Sequence, residues 1–268
     1  DPRFLLASGL LPWVCGVLFD DVKGAPTLAK SGRKGIAEQL NALTDSAGCL
    51  HDSAMQQASV FLALWRDATV VGNAFDRTCW KGSNARRFAN FVNRTTSLLR
   101  VDGYLAIEEN AACDGDNLAS LIDLVGSPLK GWAKAAKTIS KRGSITKGTK
   151  KLKGKKASAT AVRFTKNDAP SWQSDDSQTV CMRSTWAAES SVISILHAEP
   201  EPWLELAIDG VPLFSGDWNI DVAENREFLQ LEEGWDCCCW YSDGEVDYCE
   251  IDMRFDSLVS MADKLLKF

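Results

Sequence analysis

Histidine is almost missing from this chain: among 268 residues only His51 and His197 carry an imidazole. A histidine-rich metal site is thereby excluded, and acid–base chemistry must rest on one of the two or on Tyr, Glu or Lys. No C-x-x-C pair occurs among the nine cysteines, so zinc, which prefers four ligands, is offered no recognisable set. No serine stands in a G-x-S-x-G setting, and no glycine pattern makes a phosphate loop or dinucleotide fingerprint. Neither a metal nor an organic cofactor is expected. No stretch is long and apolar enough to span a bilayer. The opening DPRFLLASGLLPWVCGVLF lacks a basic n-region and is interrupted by Pro12, so it does not read as a signal peptide. The cysteines lack paired spacing, which favours reduced thiols in a cytoplasm; a chain from which a leader had been removed would instead be secreted or periplasmic. Thirty basic against 36 acidic residues, a net charge of −6 and a pI near 5.1 disfavour nucleic acid as a partner of the whole molecule.

A hydrophobic content of 45% with 25% charged residues is enough for a sizeable core. The chain divides by pattern. Residues 1–128 read as helices. Ile36, Leu40 and Leu43 share one face, and Phe61, Leu62, Leu64 and Trp65 crowd one side of a helix beginning near Asp52. From Asn84 to Leu99, Phe88, Phe91, Val92, Thr95, Leu98 and Leu99 recur at three and four residues while Arg86, Arg87, Asn90 and Arg94 face away. Ser83 or Asn84 is the expected cap, and Leu118 to Val125 repeat the theme. Helices joined by short loops imply a bundle or an α/α toroid. Residues 129–170 are rich in Lys, Gly, Ser and Thr, the composition of a basic flexible linker.

Residues 171–268 read as strands. Leu204, Leu206 and Ile208 alternate with Glu205 and Ala207, Asp209-Gly210 suits a tight turn, and Val211 to Phe214 return as the partner. Cys249, Ile251, Met253 and Phe255 alternate with Glu250, Asp252 and Arg254. The expected fold class is α+β: a helical, toroid- or bundle-like part, then an antiparallel β-sandwich part. Cys237-Cys238-Cys239 on a strand would send Cys237 and Cys239 one way and Cys238 the other, so buried hydrophobes are the expected role and not a metal site. His197 closes an apolar strand and would emerge at a sheet edge beside Glu199, which could orient its ring. His51 suits a capping or surface role.

The order of parts carries a resemblance. Arg100-x-Asp102-Gly103 follows the helices, Arg183-Ser184-x-Trp186 opens the β region, and His197 precedes Leu204-Glu205-Leu206, Asp209-Gly210 and Gly216-Asp217-Trp218. In this order the chain resembles the heparinase II/III-like family, whose members pair an α/α toroid with a β-sandwich and cleave acidic polysaccharides by β-elimination. The resemblance implies a uronate-containing glycan as partner, His197 or Tyr104 as base or acid, and Arg183 or Arg100 to neutralise the substrate carboxylate. Trp186, Trp218 and Glu199 would line the substrate. The family's histidine-rich segment is reduced here to His197 alone. The second expectation is therefore a non-catalytic carbohydrate-binding or interaction scaffold, which the acidic Glu199, Glu201 and Asp209 favour by repelling a uronate polymer.

Overall fold

The structure is a computed structural model that describes residues 1–100, 104–107, 170–185, 190–198, 202–208, 211–218, 223–224, 227–228 and 235–252. Leu118 to Val125, Met253, Phe255, the Asp209-Gly210 turn and nearly all of the basic segment lie outside them.

The chain opens as one continuous helix: α1 (Pro2–Leu5), a π-helical stretch (Leu6–Leu10) and α2 (Leu11–Leu18) join through residues with right-handed helical angles. Pro12 does not break it. Proline has no N–H for the Ser8 carbonyl four residues back, and the Leu11 N–H reaches five back to the Leu6 carbonyl instead. Next comes α3 (Ala25–Leu43), which lies against this helix backbone to backbone. A Cβ at Gly32 would stand 2.2 Å from the Trp13 nitrogen, and one at Gly16 2.2 Å from that of Ala29. Only glycine permits such approach.

The remaining helices are α4 (Asp52–Met55), α5 (Ala58–Ala74) and α6 (Ser83–Ser97). The helix expected near Asp52 is thus two: α4 stops after one turn, and α5 begins only at Ala58. Neither Ser83 nor Asn84 caps α6; Gly82 occupies the N-cap at φ 56°, with no side-chain bond to the first-turn amides. Fully buried Trp65 meets Phe91 edge-on at 4.8 Å between ring centroids, and Trp80 stacks on Phe88 at 4.1 Å. The buried indoles of Trp13 and Trp80 donate to the Ala68 carbonyl (2.9 Å) and to Thr69 Oγ1 (2.8 Å), which removes the penalty of burying their N–H groups.

Five antiparallel strands follow in sheet order β1 (Trp172–Ser174), β2 (Thr179–Arg183), β3 (Val192–Leu196), β4 (Trp203–Ile208) and β5 (Val211–Asp217). Two further ladders pair β6 (Ala223–Glu224) with β7 (Glu227–Phe228), and β8 (Asp236–Ser242) with β9 (Asp247–Asp252). Helices first and antiparallel strands after make this an α+β chain; the described residues show neither a closed toroid nor a second packed sheet. Trp172, Cys181, Val192 and Leu196 join the helical side chains in one core cluster.

Two strand readings are corrected. On β4 it is Glu205 and Ala207 that are buried, while Leu204 and Leu206 are half-buried and Ile208 is exposed. The reason is register: Trp172, Cys181, Ser194, Glu205 and Ser215 stand opposite one another across the five strands, on the face turned to the helices. On β8 a bulge between Cys237 and Cys239 shifts the alternation. Cys237 turns toward Cys249, their Sγ atoms 3.7 Å apart, whereas Cys238 and Cys239 both face outward.

The glycine contacts between α2 and α3 set a testable expectation. Gly32→Ala should destabilise the chain by about 2–4 kcal/mol, because the added methyl meets backbone that cannot yield, whereas the exposed Ser31→Ala should stay within about 0.5 kcal/mol. Urea unfolding of the two variants measures the contrast.

Candidate functional site

The C-terminal end of α6 is where the helices meet the sheet. The last carbonyls of any helix lack intrahelical partners and carry partial negative charge. Here they receive a cation from β2. Arg183 is 2% exposed, and its Nη1 donates to the carbonyls of Ser97 (2.9 Å) and Leu99 (2.7 Å), while Nε donates to that of Thr185 (3.1 Å). Its buried Nη2 has no hydrogen-bond partner among the described residues. Desolvation draws the guanidinium down to about 10, so it remains charged near neutrality. Around it, the Trp172 indole donates to Ser97 Oγ, the Cys181 thiol lies 3.6 Å from the Ser97 carbonyl, and Arg94 sits over the Trp172 ring.

Beyond α6 the chain doubles back, with the Arg100 amide donating to the Tyr104 carbonyl (2.8 Å) and that of Ala106 to the Leu98 carbonyl (2.8 Å). This brings the Arg100 guanidinium to 5.4 Å from the Tyr104 ring centre. Arg100 Nη1 donates to Glu205 Oε1 at 3.0 Å, and the other carboxylate oxygen accepts from Ser215 Oγ at 3.1 Å. The pair is largely desolvated, with 12% of the arginine side chain and 2% of the glutamate exposed. Glu205 was not legible as a functional residue, since a glutamate between two leucines on a strand ordinarily marks the wet face; the cation it answers lies 105 positions away.

His197 follows β3 and does not emerge at an exposed edge. It is 2% exposed; Nδ1 donates to the Trp235 carbonyl at 2.7 Å, and the His197 amide bonds to the Gln178 carbonyl at 2.8 Å. Burial pushes its pKa below the ordinary 6.5, against smaller opposing contributions led by the Trp235 hydrogen bond. The ring is therefore neutral, with its proton on Nδ1 and a lone pair on Nε2 that has no partner among the described residues. The partner that orients the ring is a backbone carbonyl.

The structure thus gathers Arg183, Arg100 and Tyr104 at the end of α6 but sets His197 apart. Arg183 pairs with Val192 at one end of the β2–β3 ladder, and His197 lies beyond Leu196 at the other. Five strand residues separate the two ends, about 16 Å. Trp218 is 43% exposed just past β5, its amide bonded to the Pro202 carbonyl. Trp186 and Glu199 lie outside the described residues. A second contact fixes the β1–β2 turn: Ser174 Oγ donates to Asp45 Oδ2 (2.6 Å), the Cys49 amide to Oδ1 (2.8 Å), and His51 Nδ1 stands 3.3 Å from the Asp176 carbonyl. His51 occupies the N-cap of α4 without a capping side-chain bond. Among the described residues, Cys238, Glu250 and Asp252 hold potential metal-ligand atoms within 4.8 Å of one another, all exposed.

No family model and no curated protein matches the sequence. Among solved structures, a heparinase III with methylated lysines matches with a TM-score of 0.58 at 12% identity, over 93% of this chain. The chain spans 39% of that structure's length. At such identity the likeness is one of fold: a distant structural relationship to heparinase III.

Two outcomes follow from this geometry. Glu205→Leu alone takes the buried carboxylate away from the Arg100 cation and should cost about 3 kcal/mol, whereas Arg100→Met combined with Glu205→Leu should cost less than that single change; urea midpoints of the singles and the double close the cycle. His197 bears on pH. Its folded pKa is depressed, so the stability it contributes is present above the ordinary 6.5 and is lost as pH falls through that value toward the folded pKa. The stability gap between the natural chain and His197→Gln should therefore narrow between about pH 7.5 and about pH 5.

Proposed function

We propose that this chain is the heparinase III-like core of a polysaccharide lyase acting on acidic, uronate-containing glycans by β-elimination, with His197 as the proton acceptor. The observation that carries the reading is the state of that imidazole: neutral, fixed through Nδ1–H on the Trp235 carbonyl, with a bare Nε2. A general base needs this combination of orientation and free lone pair near neutral pH. In the reaction Nε2 takes the proton next to the uronate carboxylate. The electron pair forms the ring double bond, the bond to the leaving sugar oxygen breaks, and that oxygen takes the proton back from the imidazolium just formed. Arg100 and Tyr104, gathered with Arg183 at the end of α6, would meet neighbouring sugars of the polymer, while buried Arg183 holds the helix end beneath them. Exposed Trp218 supports stacking on a sugar ring, with Trp186 and Glu199 as further substrate contacts. No metal or organic cofactor enters this scheme.

A second reading is a non-catalytic glycan-binding or interaction scaffold. It is favoured by the same site: Glu205 already neutralises Arg100, helix carbonyls already occupy Arg183, and His197 is buried. One experiment separates the readings. Incubation with a panel of acidic glycans should produce unsaturated uronates that absorb in the ultraviolet, and His197→Ala should lower that turnover by about a hundredfold or more while the fold persists. If the natural chain releases no absorbing product from any uronate polymer, the lyase reading falls and the scaffold reading stands.

A further inference from the structure

Away from the α6 end, the helical part carries a groove of about 440 Å³, within the roughly 300–1,000 Å³ of small-molecule sites. Its floor is apolar, made by Pro26, Ala29 and the buried Trp13. Its walls are basic. Lys30 and Arg33 stand three positions apart on one face of α3, and Arg77 and Lys81 face them from the segment between α5 and α6. Asp76 and Thr78 complete the lining.

The local fold explains why Arg77 is held there. Beyond α5, the Arg77 amide bonds to the Gly72 carbonyl at 2.8 Å and the Asp76 amide to that of Asn73 at 3.3 Å, while Asp76 takes the left-handed φ of 51°. This is a helix-terminating turn of the Schellman type, which normally places glycine where Asp76 stands. The turn folds the chain back over the helix, so that a Cβ on Gly72 would lie 2.6 Å from the Arg77 carbonyl and 3.1 Å from the Trp13 ring.

The charge balance is unusual for this molecule. Arg77 is paired with Asp20 at 2.9 Å, while Lys30, Arg33 and Lys81 form no ion pair among the described residues. Four cations against Asp20 and Asp76 leave a surplus of two positive charges, in a protein whose net charge is −6. Two facing basic walls above an apolar floor select a ligand with a compact body and oxyanions at more than one position.

We propose that this groove binds a small ring compound carrying oxyanion esters, a phosphorylated or sulfated sugar. The site is independent of the lyase reading, because it uses none of the residues at the α6 end; a chain without eliminase activity keeps it. Isothermal titration of the full chain at about 50 mM salt, where screening is modest, uses three probes: fructose 1,6-bisphosphate, a glucosamine sulfated on nitrogen and O6, and glucose as the uncharged control. At least one of the two esters should bind with glucose silent, and the tighter of them assigns phosphate or sulfate as the natural group. The double variant Lys30→Gln with Arg33→Gln should weaken binding about tenfold or more, as loss of two charge-assisted contacts does. Asp76→Asn, which keeps a residue tolerant of the left-handed turn and removes the opposing charge, should tighten it about threefold. Circular dichroism confirms that both variants fold. The proposal is overturned if neither ester binds below about 10 mM, a level at which such contacts would be worthless, or if the double variant binds as the natural chain does.

Discussion

Burying a guanidinium without a carboxylate opposite it is the constraint on which the two halves of this protein depend. Removing an ion from water costs several kcal/mol even after relaxation, and Arg183 is 2% exposed with no acidic partner among the described residues. What answers its charge is backbone. The carbonyls of Ser97 and Leu99 lie at the end of a 15-residue helix and carry the negative pole of its dipole. The arginine completes the helix terminus and the helix completes the arginine, so neither can be placed without the other. Lysine could not substitute readily, since only the planar fork reaches the carbonyls of Ser97, Leu99 and Thr185 from one side chain.

The Arg100–Glu205 pair acts beside this contact in a different way. Ion pairs this well buried seldom add net stability over an apolar replacement, but breaking one side is costly. Their effect is to penalise wrong arrangements. A slip of one residue in β4 would turn Glu205 outward and set Leu204 or Leu206 against Arg100, putting an apolar side chain where the cation meets a carboxylate. The mostly polar row across the sheet therefore selects one register and one docking of sheet on helices. The apolar pattern of β4 would by itself have chosen the opposite face.

That conflict explains how far the sequence could be read. The spacing of Phe88, Phe91, Val92 and Thr95 locates α6 because its core contacts are periodic and local, and the alternation from Leu204 to Ile208 locates β4. Which face of β4 is wet depends on Arg100, and no local pattern carries that. The reading of Pro12 as an interruption failed for a similar reason: a one-bond shift into π geometry absorbs it at small cost when α3 packs alongside. Gly16 and Gly32 belong to no motif, yet each lies where backbone meets backbone. At the candidate site, Arg100, Tyr104, Arg183 and His197 were singled out by their order along the chain. Order conveys nothing of burial or of which end of a ladder a residue occupies, and those decide what each side chain can do.

Charge is distributed as unevenly as packing. The β8–β9 hairpin, from Asp236 to Asp252, holds Asp236, Asp243, Glu245, Asp247, Glu250 and Asp252 and not one lysine or arginine. The helical groove holds Lys30, Arg33, Arg77 and Lys81. An approaching polyanion is repelled by the first surface and drawn to the second, and over a Debye length of about 8 Å at physiological salt the nearer surface dominates. Total charge therefore predicts little about what the molecule attracts. A polyanion that could not rest along the hairpin is still drawn to the helices, and there it stands clear of the residues gathered at the end of α6.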